Sequence, residues 1–390
     1  MIPLMKNTFF REDETKAALA EFIRSADKLS MGEQCRRFEE AFAAWQGCKH
    51  AVLVNSGGSA NLLLLQALKN IGHLKTGDKI GFTALTWSTN VMPIIQLGFE
   101  PVPIDCEINT LNSSSSNLAK RLNDIELDAF FITNVLGFCG DLDKIHDLCA
   151  RRDIILIEDN CESLGTEMSD RKTGAFGLAA SFSFYVAHHL STIEGGMLVT
   201  NDIELANMFV MARANGWDRN LPAAEQARLR QGHAIQSELY AKYVFYDLAF
   251  NVRPTEITGF LGLQQLPLID EIIAVRRRNY LEIDEVIKNN GDFIAVDHRH
   301  IKSISPFAIP FICKSKELFK KYTVAFSDAG VEIRPMIAGN MQRQPFYKKY
   351  ATAMVDLANT DFIHEHSFYA GNYPELSRSD IETFKRCLRR

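Results

Sequence analysis

The sequence predicts an α/β protein with one large, mostly parallel sheet, followed by a smaller C-terminal α+β domain. Between about residues 32 and 200, short β-rich runs alternate with helical stretches, which is typical of βαβ units with right-handed crossovers. The β-rich runs are almost continuously apolar, as expected of strands buried on both faces of a parallel sheet. After residue 251 the pattern changes to longer helices and few strands.

The predicted strands of the large sheet are residues 50–56 (HAVLVNS), 79–85 (KIGFTAL), 100–106 (EPVPIDC), 129–135 (AFFITNV) and 153–159 (DIILIED). A helix is predicted from Ala60, and residues 256–290 are predicted to be helical with an interruption at Pro267. Residues 304–313 (ISPFAIPFIC) predict a strand of the second domain. We therefore expect a large domain over residues 1–275 and a small one over 276–390, with an N-terminal segment that can pack on the small domain.

Composition excludes several classes of protein. The net charge of -5 and the pI near 6.1 give no electrostatic footprint for nucleic acid, and the run Arg276–Arg278 is predicted to be a solvated helix face. No stretch approaches the roughly 20 apolar residues of a membrane helix, and the start becomes acidic too soon for a signal peptide. The eight cysteines are scattered without a C-x-x-C pair, which favours reduced thiols, a cytoplasmic location and no metal site.

The motif NSGGSAN, residues 55–61, follows a predicted strand and opens a predicted helix. Gly57 and Gly58 allow close backbone approach, and the free N–H groups near Ser59 can cradle a phosphate. A tight strand-to-helix turn without a ligand has the same sequence, so the motif alone does not decide.

Two further motifs stand at strand ends. In IEDNCESLG, residues 157–165, Asp159 can hold a protonated pyridine nitrogen, and Glu162 can reach the same pocket; the alternative for Asp159 is a helix N-cap. In TWSTN, residues 86–90, Trp87 is either a core residue or a flat lid on an aromatic ring.

The stretch SFSFYVAHHLSTIEGG, residues 181–196, reads as a strand, a turn and a Gly-Gly pair. Ser181 and Ser183 face the same side of an extended segment, where either hydroxyl can bind a phosphate. His188 lies at the turn and is either a structural residue or a base, since its pKa lies near neutral pH.

Together these motifs resemble the fold-type I pyridoxal-phosphate enzymes and, more narrowly, the DegT/DnrJ/EryC1 family of sugar aminotransferases. Further segments that carry the resemblance are MGEQCRRFEEAFAAWQGCKHAVLV (31–54), GFEPVPIDCEINTLN (98–112), NVRPTEITGFLGLQQL (251–266) and VEIRPMIAGN (331–340). The resemblance implies an aspartate-aminotransferase-like fold, a pyridoxal 5'-phosphate cofactor and a homodimer with composite active sites.

In that family a lysine normally stands at the position of His188 and holds the cofactor as a Schiff base. An imidazole cannot form this bond, but it can act as a base. AHHLSTIEGG, residues 187–196, is similar to a small branch of the family, the nucleotide-sugar 3-dehydratases. One kind in that branch carries a [2Fe-2S] cluster on later cysteines. Because no cysteine lies between Cys161 and Cys313, and a cluster needs four thiolates, the resemblance implies the kind without a cluster, with the cofactor bound non-covalently.

The resemblance also implies a reaction: removal of the C3 hydroxyl from a nucleotide-linked 4-keto-6-deoxyhexose, GDP-4-keto-6-deoxymannose above all, for dideoxysugars such as colitose of a bacterial O-antigen. Glutamate is the expected amino donor, converting pyridoxal to pyridoxamine 5'-phosphate, and ammonia is released. His188 is the expected catalytic residue. The expected cofactor contacts are Gly57, Gly58, Ser59, Trp87, Asp159, Glu162, Ser183 and, from a second subunit, Asn251. The expected substrate contacts are Asn215, where close relatives should have histidine, and Arg219, Arg253 and Arg334.

Two other functions stay open at this point. A nucleotide-sugar 4-aminotransferase of the same family would need a base other than the missing lysine. A non-catalytic regulator on the same fold would have no reason to keep Asp159, Ser183 and the phosphate turn together. A transaminase would retain nitrogen in its sugar product, whereas a regulator would show no glutamate-dependent change in the cofactor spectrum.

Overall fold

The computed structural model describes residues 1–351 and 354–389. Within those ranges the strands are β1 (His50–Val54), β2 (Lys79–Thr83), β3 (Glu100–Ile104), β4 (Ala129–Thr133), β5 (Ile155–Asp159), β6 (Glu167–Met168), β7 (Arg171–Lys172), β8 (Ala179–Ser183), β9 (Gly196–Thr200), β10 (Phe293–Ile294), β11 (Ala308–Cys313), β12 (Ile333–Pro335) and β13 (Ser367–Gly371). The helices are α1 (Glu12–Ser25), α2 (Glu33–Gln46), α3 (Gly57–Asn70), α4 (Ser88–Gln96), α5 (Ser115–Arg121), α6 (Leu142–Arg151), α7 (Ile203–Ala212), α8 (Ala223–Gly232), α9 (Glu238–Ala241), α10 (Glu256–Gln265), α11 (Ile269–Lys288), α12 (Lys316–Asp328), α13 (Pro345–Tyr350), α14 (Ala358–His366) and α15 (Arg378–Leu388). Short 3-10 turns lie at Val135–Gly137, Leu266–Leu268, Met336–Ala338 and Met341–Arg343.

In the described part of the chain, seven strands form the large sheet in the order β1-β9-β8-β5-β4-β2-β3. β9 runs antiparallel to β1 and β8, and the other neighbouring pairs are parallel. The apolar residues of these strands are buried between helices on both faces, which is why their sequences do not alternate. The predicted α/β class with a mostly parallel sheet is confirmed. β1 to β4 end earlier than predicted, because the residues that follow turn into loops at the edge of the sheet.

The start of α3 is fixed by a side-chain cap. The Ser56 hydroxyl accepts a hydrogen bond from the Ser59 N–H at 3.1 Å, which satisfies one of the free donors at a helix start. The helix therefore begins at Gly57, three residues before its predicted start. A Cβ atom on Gly196 would lie 2.3 Å from the Ser56 carbonyl oxygen, so the second glycine of the Gly-Gly pair lets β9 pass close to this helix start.

The second sheet is antiparallel, in the order β10-β11-β13-β12 among the described residues. Helices α11, α12 and α15 cover it through a core that includes Ile283, Phe311 and Phe384. At the N-terminus, Ile2 pairs with Val331 beside this sheet. Because α11 continues through residues 275 and 276 without a break, the domain boundary proposed there stays a prediction.

The basic run on α11 differs from its prediction. Arg277 and Arg278 are exposed, but Arg276 is only 5% exposed. The prediction of a solvated basic face is therefore wrong for Arg276, because α11 turns this position toward the segments at residues 188, 307 and 372. None of the helices in the described ranges combines the length and apolar content needed to cross a membrane.

Candidate active site

A cavity of about 590 Å³ lies at the carboxyl ends of the parallel strands of the large sheet, where ligands bind in open α/β sheets. Thr133, Asp159 and Ser183 are the last residues of β4, β5 and β8, and all three line the cavity. Seven of the residues predicted for the site line it: Gly57, Gly58, Trp87, Asp159, Glu162, Ser183 and His188.

One end of the cavity is formed by the start of α3 and the end of β8. Gly57 and Gly58 lie at the helix start, where the first N–H groups are left free and the dipole favours an anion. A Cβ atom on Gly57 would lie 2.6 Å from the Ser183 Cβ, so a larger residue would close the space between helix and strand. This end has the donors and the room for a phosphate. Ser59 does not line the cavity, and its N–H donates to the Ser56 hydroxyl.

Asp159 is held at the floor of the cavity by a buried network of neutral donors. Its Oδ2 accepts hydrogen bonds from the side-chain amides of Asn61 and Asn90, both at 2.8 Å, and its Oδ1 accepts from the Cys161 N–H. The amide of Asn61 is itself fixed, because its oxygen accepts from the Ser181 hydroxyl. The carboxylate therefore stands in a set orientation, only 4% exposed, and can hold a cationic ring nitrogen.

His188 has one ring nitrogen engaged. Its Nδ1 lies 2.5 Å from the Cys161 carbonyl oxygen, and a carbonyl can only accept, so Nδ1 carries the hydrogen. Burial lowers the pKa of His188 to about 4, against a smaller opposing effect of the Cys161 carbonyl. The ring is consequently neutral at pH 7, and Nε2 keeps a free lone pair. The ring packs at 5.1 Å from Phe307, centroid to centroid.

Glu162 is a second titratable group of the cavity. Its Oε2 accepts a hydrogen bond from the Leu136 N–H at 2.9 Å, and burial raises its pKa to about 8. The neighbouring Asp159 charge acts in the same direction. At neutral pH Glu162 is therefore a protonated acid that can donate a hydrogen bond. Trp87 is 54% exposed at the rim of the cavity, which excludes the core alternative for this residue.

The opposite wall comes from distant parts of the chain. Its residues belong to the N-terminal segment and the small domain, and they are Leu4, Met5, Phe307, Glu332, Ile337 and Tyr369. The Leu4 N–H donates to Glu332 Oε2 at 3.0 Å, which ties the N-terminal segment to the small domain at this wall. These residues share no motif, and nothing in the local sequence marks them.

Two residues that hold Asp159 at the floor of the cavity were not predicted from the sequence. Asn61 stands inside NSGGSAN and Asn90 inside TWSTN, yet neither was given a role. Both amides are completely buried, and the signal that could have found them is their position near the starts of helices that follow strand ends. Arg276 was overlooked because an arginine in a basic run normally faces solvent.

The remaining predicted residues lie outside this cavity. Arg219 packs over the rings of Trp217 and Tyr243, at 4.1 and 4.7 Å, and Arg253 donates to the Asn251 side chain. Asn215 has a positive φ of 62° and pairs its N–H with the Phe250 carbonyl. Arg219, Asn251 and Arg253 are exposed and Asn215 is half-buried, and these residues form a surface patch separate from the cavity. Arg334 is exposed on β12, where it pairs with the cavity residue Glu332.

The cavity fits pyridoxal phosphate in its donor set. It has a helix start lined with glycine for a phosphate, a fixed carboxylate for a ring nitrogen, and an exposed indole at its rim. It has no lysine among its lining residues in the described ranges, and His188 stands at the turn after β8 instead.

Comparison with known proteins gives consistent results. The model of the DegT/DnrJ/EryC1/StrS aminotransferase family matches residues 11–389. A GDP-4-keto-6-deoxy-D-mannose 3-dehydratase from Escherichia coli O55:H7 is 32% identical over 393 residues, covering 99% of both chains. The enzyme of the same name from Yersinia pseudotuberculosis is 31% identical, covering 95% of this chain and 94% of the relative. A crystal structure of GDP-4-keto-6-deoxymannose-3-dehydratase with a trapped PLP-glutamate geminal diamine is 31% identical, with a TM-score of 0.91 and full coverage of both chains.

Proposed function

This chain belongs to the DegT/DnrJ/EryC1/StrS aminotransferase family, and we propose that within it the chain is a pyridoxal-phosphate-dependent nucleotide-sugar 3-dehydratase. It removes the C3 hydroxyl of a nucleotide-linked 4-keto-6-deoxyhexose, with glutamate as amino donor and with release of ammonia. GDP-4-keto-6-deoxy-D-mannose is the substrate named for two relatives that match nearly the whole chain. The product is a 3,6-dideoxy ketosugar for a bacterial surface polysaccharide, made in the cytoplasm.

The observation that carries the proposal is the state of His188. It stands where the aminotransferases of the family have their lysine, and its free Nε2 belongs to a neutral ring in the cavity. A histidine cannot anchor the cofactor covalently, but it can take and return a proton. Its neighbour His189 does not take this role, because His189 is buried and does not line the cavity, and its Nε2 lies on the Ser305 carbonyl at 2.9 Å.

Pyridoxal phosphate would be held without a covalent bond. Its phosphate would lie on the N–H groups of Gly57 and Gly58 and on the Ser183 hydroxyl, and Asp159 would hold its ring nitrogen. When bound, the cofactor supplies an electron sink for the substrate carbon next to its amino group. The protein supplies position: the amides of Asn61 and Asn90 orient the Asp159 carboxylate, and the glycines leave room beside Ser183 at the phosphate end.

The proton chemistry follows from the geometry of His188. Nε2 is the ring nitrogen that accepts a proton during the reaction, because Nδ1 already donates its hydrogen to the Cys161 carbonyl. The resulting imidazolium is more acidic than an ordinary one, since burial lowers its pKa to about 4, so it gives the proton up more readily to the departing hydroxyl oxygen. A group with the high pKa of a lysine amine would hold that proton more tightly. The histidine therefore favours loss of the hydroxyl over completion of a transamination.

A homodimer with composite sites is part of the proposal. The exposed Asn251 and Arg253 and the half-buried Asn215 lie in the surface patch outside the cavity, together with large apolar side chains that would be costly to leave in water. Those side chains are Leu239, Tyr240, Tyr243, Phe245 and Leu248, each 56% exposed or more. In a dimer this patch would face the partner's cavity, with Asn251 at the partner's cofactor phosphate and Arg219, Arg253 and Arg334 near the nucleotide diphosphate.

One incubation tests the function. The protein with pyridoxal phosphate, glutamate and GDP-4-keto-6-deoxymannose is assayed for ammonia and for the mass of the sugar product. We expect ammonia together with a 3-deoxy ketosugar. A 4-amino sugar without ammonia would establish the aminotransferase instead. An absence of any glutamate-dependent change in the cofactor spectrum would favour the non-catalytic regulator.

A further inference from the structure

Arg276 is a buried arginine, and within the described ranges no carboxylate forms an ion pair with its guanidinium, although the charge of Glu375 acts on it. Its hydrogen bonds go to three backbone carbonyls: that of His188 at 3.1 Å, that of Phe307 at 2.9 Å, and that of Asn372. Burying a guanidinium is costly, and here the cost is only partly offset, since the Arg276 Nε has no hydrogen-bond partner among the described residues. A charge placed at such a cost, with three specific acceptors, points to a role beyond the packing of α11.

The three carbonyls belong to segments that meet at the catalytic cavity. His188 follows β8 of the large sheet, Phe307 precedes β11, and Asn372 follows β13 of the small sheet. Asn372 repeats the link, since its side-chain amide donates to the Arg276 carbonyl at 3.1 Å and to the Pro306 carbonyl at 2.9 Å. The Arg276 guanidinium thus joins the loop that carries His188 to the two small-domain segments at Phe307 and Asn372.

Arg276 affects the imidazole of His188 in two ways, through its position and through its pKa. The ring of Phe307 packs on the imidazole, and Arg276 holds the backbone of both residues, so it sets the position of one ring relative to the other. The positive charge of Arg276 also lowers the pKa of His188, in addition to the larger effect of burial.

We propose that Arg276 is a positioning residue for His188: its fork of carbonyl contacts fixes the His188 loop and Phe307 together, so that Nε2 stays turned into the cavity. The inference rests on the proposed function for the role of His188 in catalysis. Lysine cannot substitute fully, because it offers a point charge where arginine offers a rigid planar fork.

The test compares Arg276→Gln and Arg276→Lys with Arg277→Gln. Arg277 is the matched control, because it is exposed on the next position of α11 and, among the described residues, its guanidinium hydrogen-bonds only to the Ser303 hydroxyl. We expect both Arg276 variants to lower kcat by roughly 10- to 100-fold, the usual cost of a small misplacement of a catalytic group. KM for the nucleotide sugar should stay within about threefold, and Arg277→Gln should behave as the wild type.

A second readout does not need turnover. In protein labelled with ¹⁵N at the histidine rings, the His188 signals are identified by their loss in His188→Asn. The wild type should show a protonated Nδ1 and a bare Nε2 from pH 5.5 to 8, whereas Arg276→Gln should show mixed tautomers and a raised pKa. Among the described residues, the other titratable or charged groups that line the space around His188 are Asp159, Cys161, Glu162, Tyr185, Glu194, Glu332, Tyr369, His189, Tyr373 and Glu375, and all of them stay unchanged across the three variants.

The outcomes separate the two proposals. If Arg276→Gln does not fold, Arg276→Lys decides, since it keeps the charge and loses the fork. The inference is overturned if the Arg276 variants match Arg277→Gln in kcat and in the His188 ¹⁵N signals. A wild type that releases no ammonia would contradict the proposed function, while the ¹⁵N signals would still report whether Arg276 sets the tautomer.

Discussion

The floor and the wall of the cavity are built in different ways. The floor comprises Gly57, Asp159, Ser183 and His188, which come from a helix start, from strand ends and from the turn that follows β8. The wall comprises Phe307, Glu332, Ile337 and Tyr369 of the small domain, with Leu4 and Met5 of the N-terminal segment. Floor positions are set by the hydrogen-bonded register of one sheet, whereas wall positions depend on how separate segments pack.

Because they are built differently, the floor and the wall are expected to have different functions. A carboxylate on a strand held between two neighbours can be placed to a fraction of an ångström, as chemistry on a cofactor requires. The wall is tied to the floor through side-chain bonds to carbonyls, such as those of Arg276, and can vary with the substrate. We therefore expect floor substitutions to damage the chemistry itself, and wall substitutions to act in smaller steps through the placement of His188.

The largest effect should follow His188→Asn. The amide is close in size to imidazole but cannot act as a base, so dehydration should fall by about 10²- to 10⁴-fold. Binding of cofactor and glutamate should persist, since Asp159 and the phosphate end are untouched. Ammonia release measures the dehydration, and the cofactor spectrum measures the binding of cofactor and glutamate. The control is His189→Asn, because His189 faces the Ser305 carbonyl; an equal loss of dehydration in that variant would contradict the assignment of His188 as the base.

The next effect should follow Asp159→Asn. Losing a charge-assisted hydrogen bond costs about 1.5–3 kcal/mol, equivalent to roughly 10- to 100-fold, and the new amide would also oppose the donors of Asn61 or Asn90. Cofactor affinity and both partial reactions should fall together. The measurement is a titration of the apoprotein with pyridoxal phosphate, followed by absorbance.

A neighbour on the same strand gives the control. Glu158 is completely buried on the other face of β5, where it accepts hydrogen bonds from the N–H groups of Gly174, Phe176 and Gly177. Glu158→Gln should lower the thermal stability of the apoprotein and leave cofactor affinity nearly unchanged. The floor assignment fails if the two substitutions show the reverse pattern.

The sequence predicted the floor and missed the wall for a physical reason. A strand end followed by a small or acidic residue is a local pattern, and parallel strands bring such ends to one edge whatever the rest of the chain does. Phe307 and Tyr369 carry no comparable signal. Their approach to His188 depends on the packing of the small domain, which composition and periodicity do not encode.

Arg276 and Asn61 mark two other limits of the sequence. The local sequence gives Arg276 the same surroundings as Arg277, and only the direction in which α11 faces separates a buried cation from a solvated one. Asn61 lies within the motif NSGGSAN, but its role depends on the Asp159 carboxylate, which lies 2.8 Å from its amide and 98 positions away in the chain. Long-range polar contacts of this kind were the part that residue patterns could not supply.

On the wall, Phe307→Leu should have an intermediate effect. Leucine keeps an apolar surface but loses the ring contact with His188, and such contacts contribute about 0.5–1.5 kcal/mol. We expect kcat to fall by roughly three- to tenfold, with little change in cofactor affinity. Steady-state ammonia release measures the loss. Phe319→Leu, which alters a ring that packs on Phe368 in the small domain, should leave kcat unchanged; equal losses in both variants would mean that Phe307 acts through stability alone.

The smallest effect should appear in the pH dependence, through Glu162. Its pKa is raised to about 8, so the protonated donor is present below that pH and is lost as pH rises through it. His188 stays neutral down to about pH 4, so it adds no change on the alkaline side. If the neutral acid donates one hydrogen bond, worth about 0.5–1 kcal/mol, the rate should fall only two- to fivefold between pH 7 and 9.

Glu162→Gln isolates this effect, because glutamine keeps an amide donor at every pH. The variant should have a nearly flat rate from pH 7 to 9, whereas the wild type declines. The pH dependence of stability gives an independent check. Between pH 4.5 and 8 the folded state still holds the Glu162 proton, whereas the unfolded chain has already released it. The stability that this group contributes is therefore complete below pH 4.5 and is lost as pH rises through 8. The wild-type apoprotein should therefore lose more stability than the variant between pH 6 and 9. If wild type and variant lose stability in parallel, Glu162 is already ionised at neutral pH, and the cavity then carries the two negative carboxylates of Asp159 and Glu162 for a cofactor to balance.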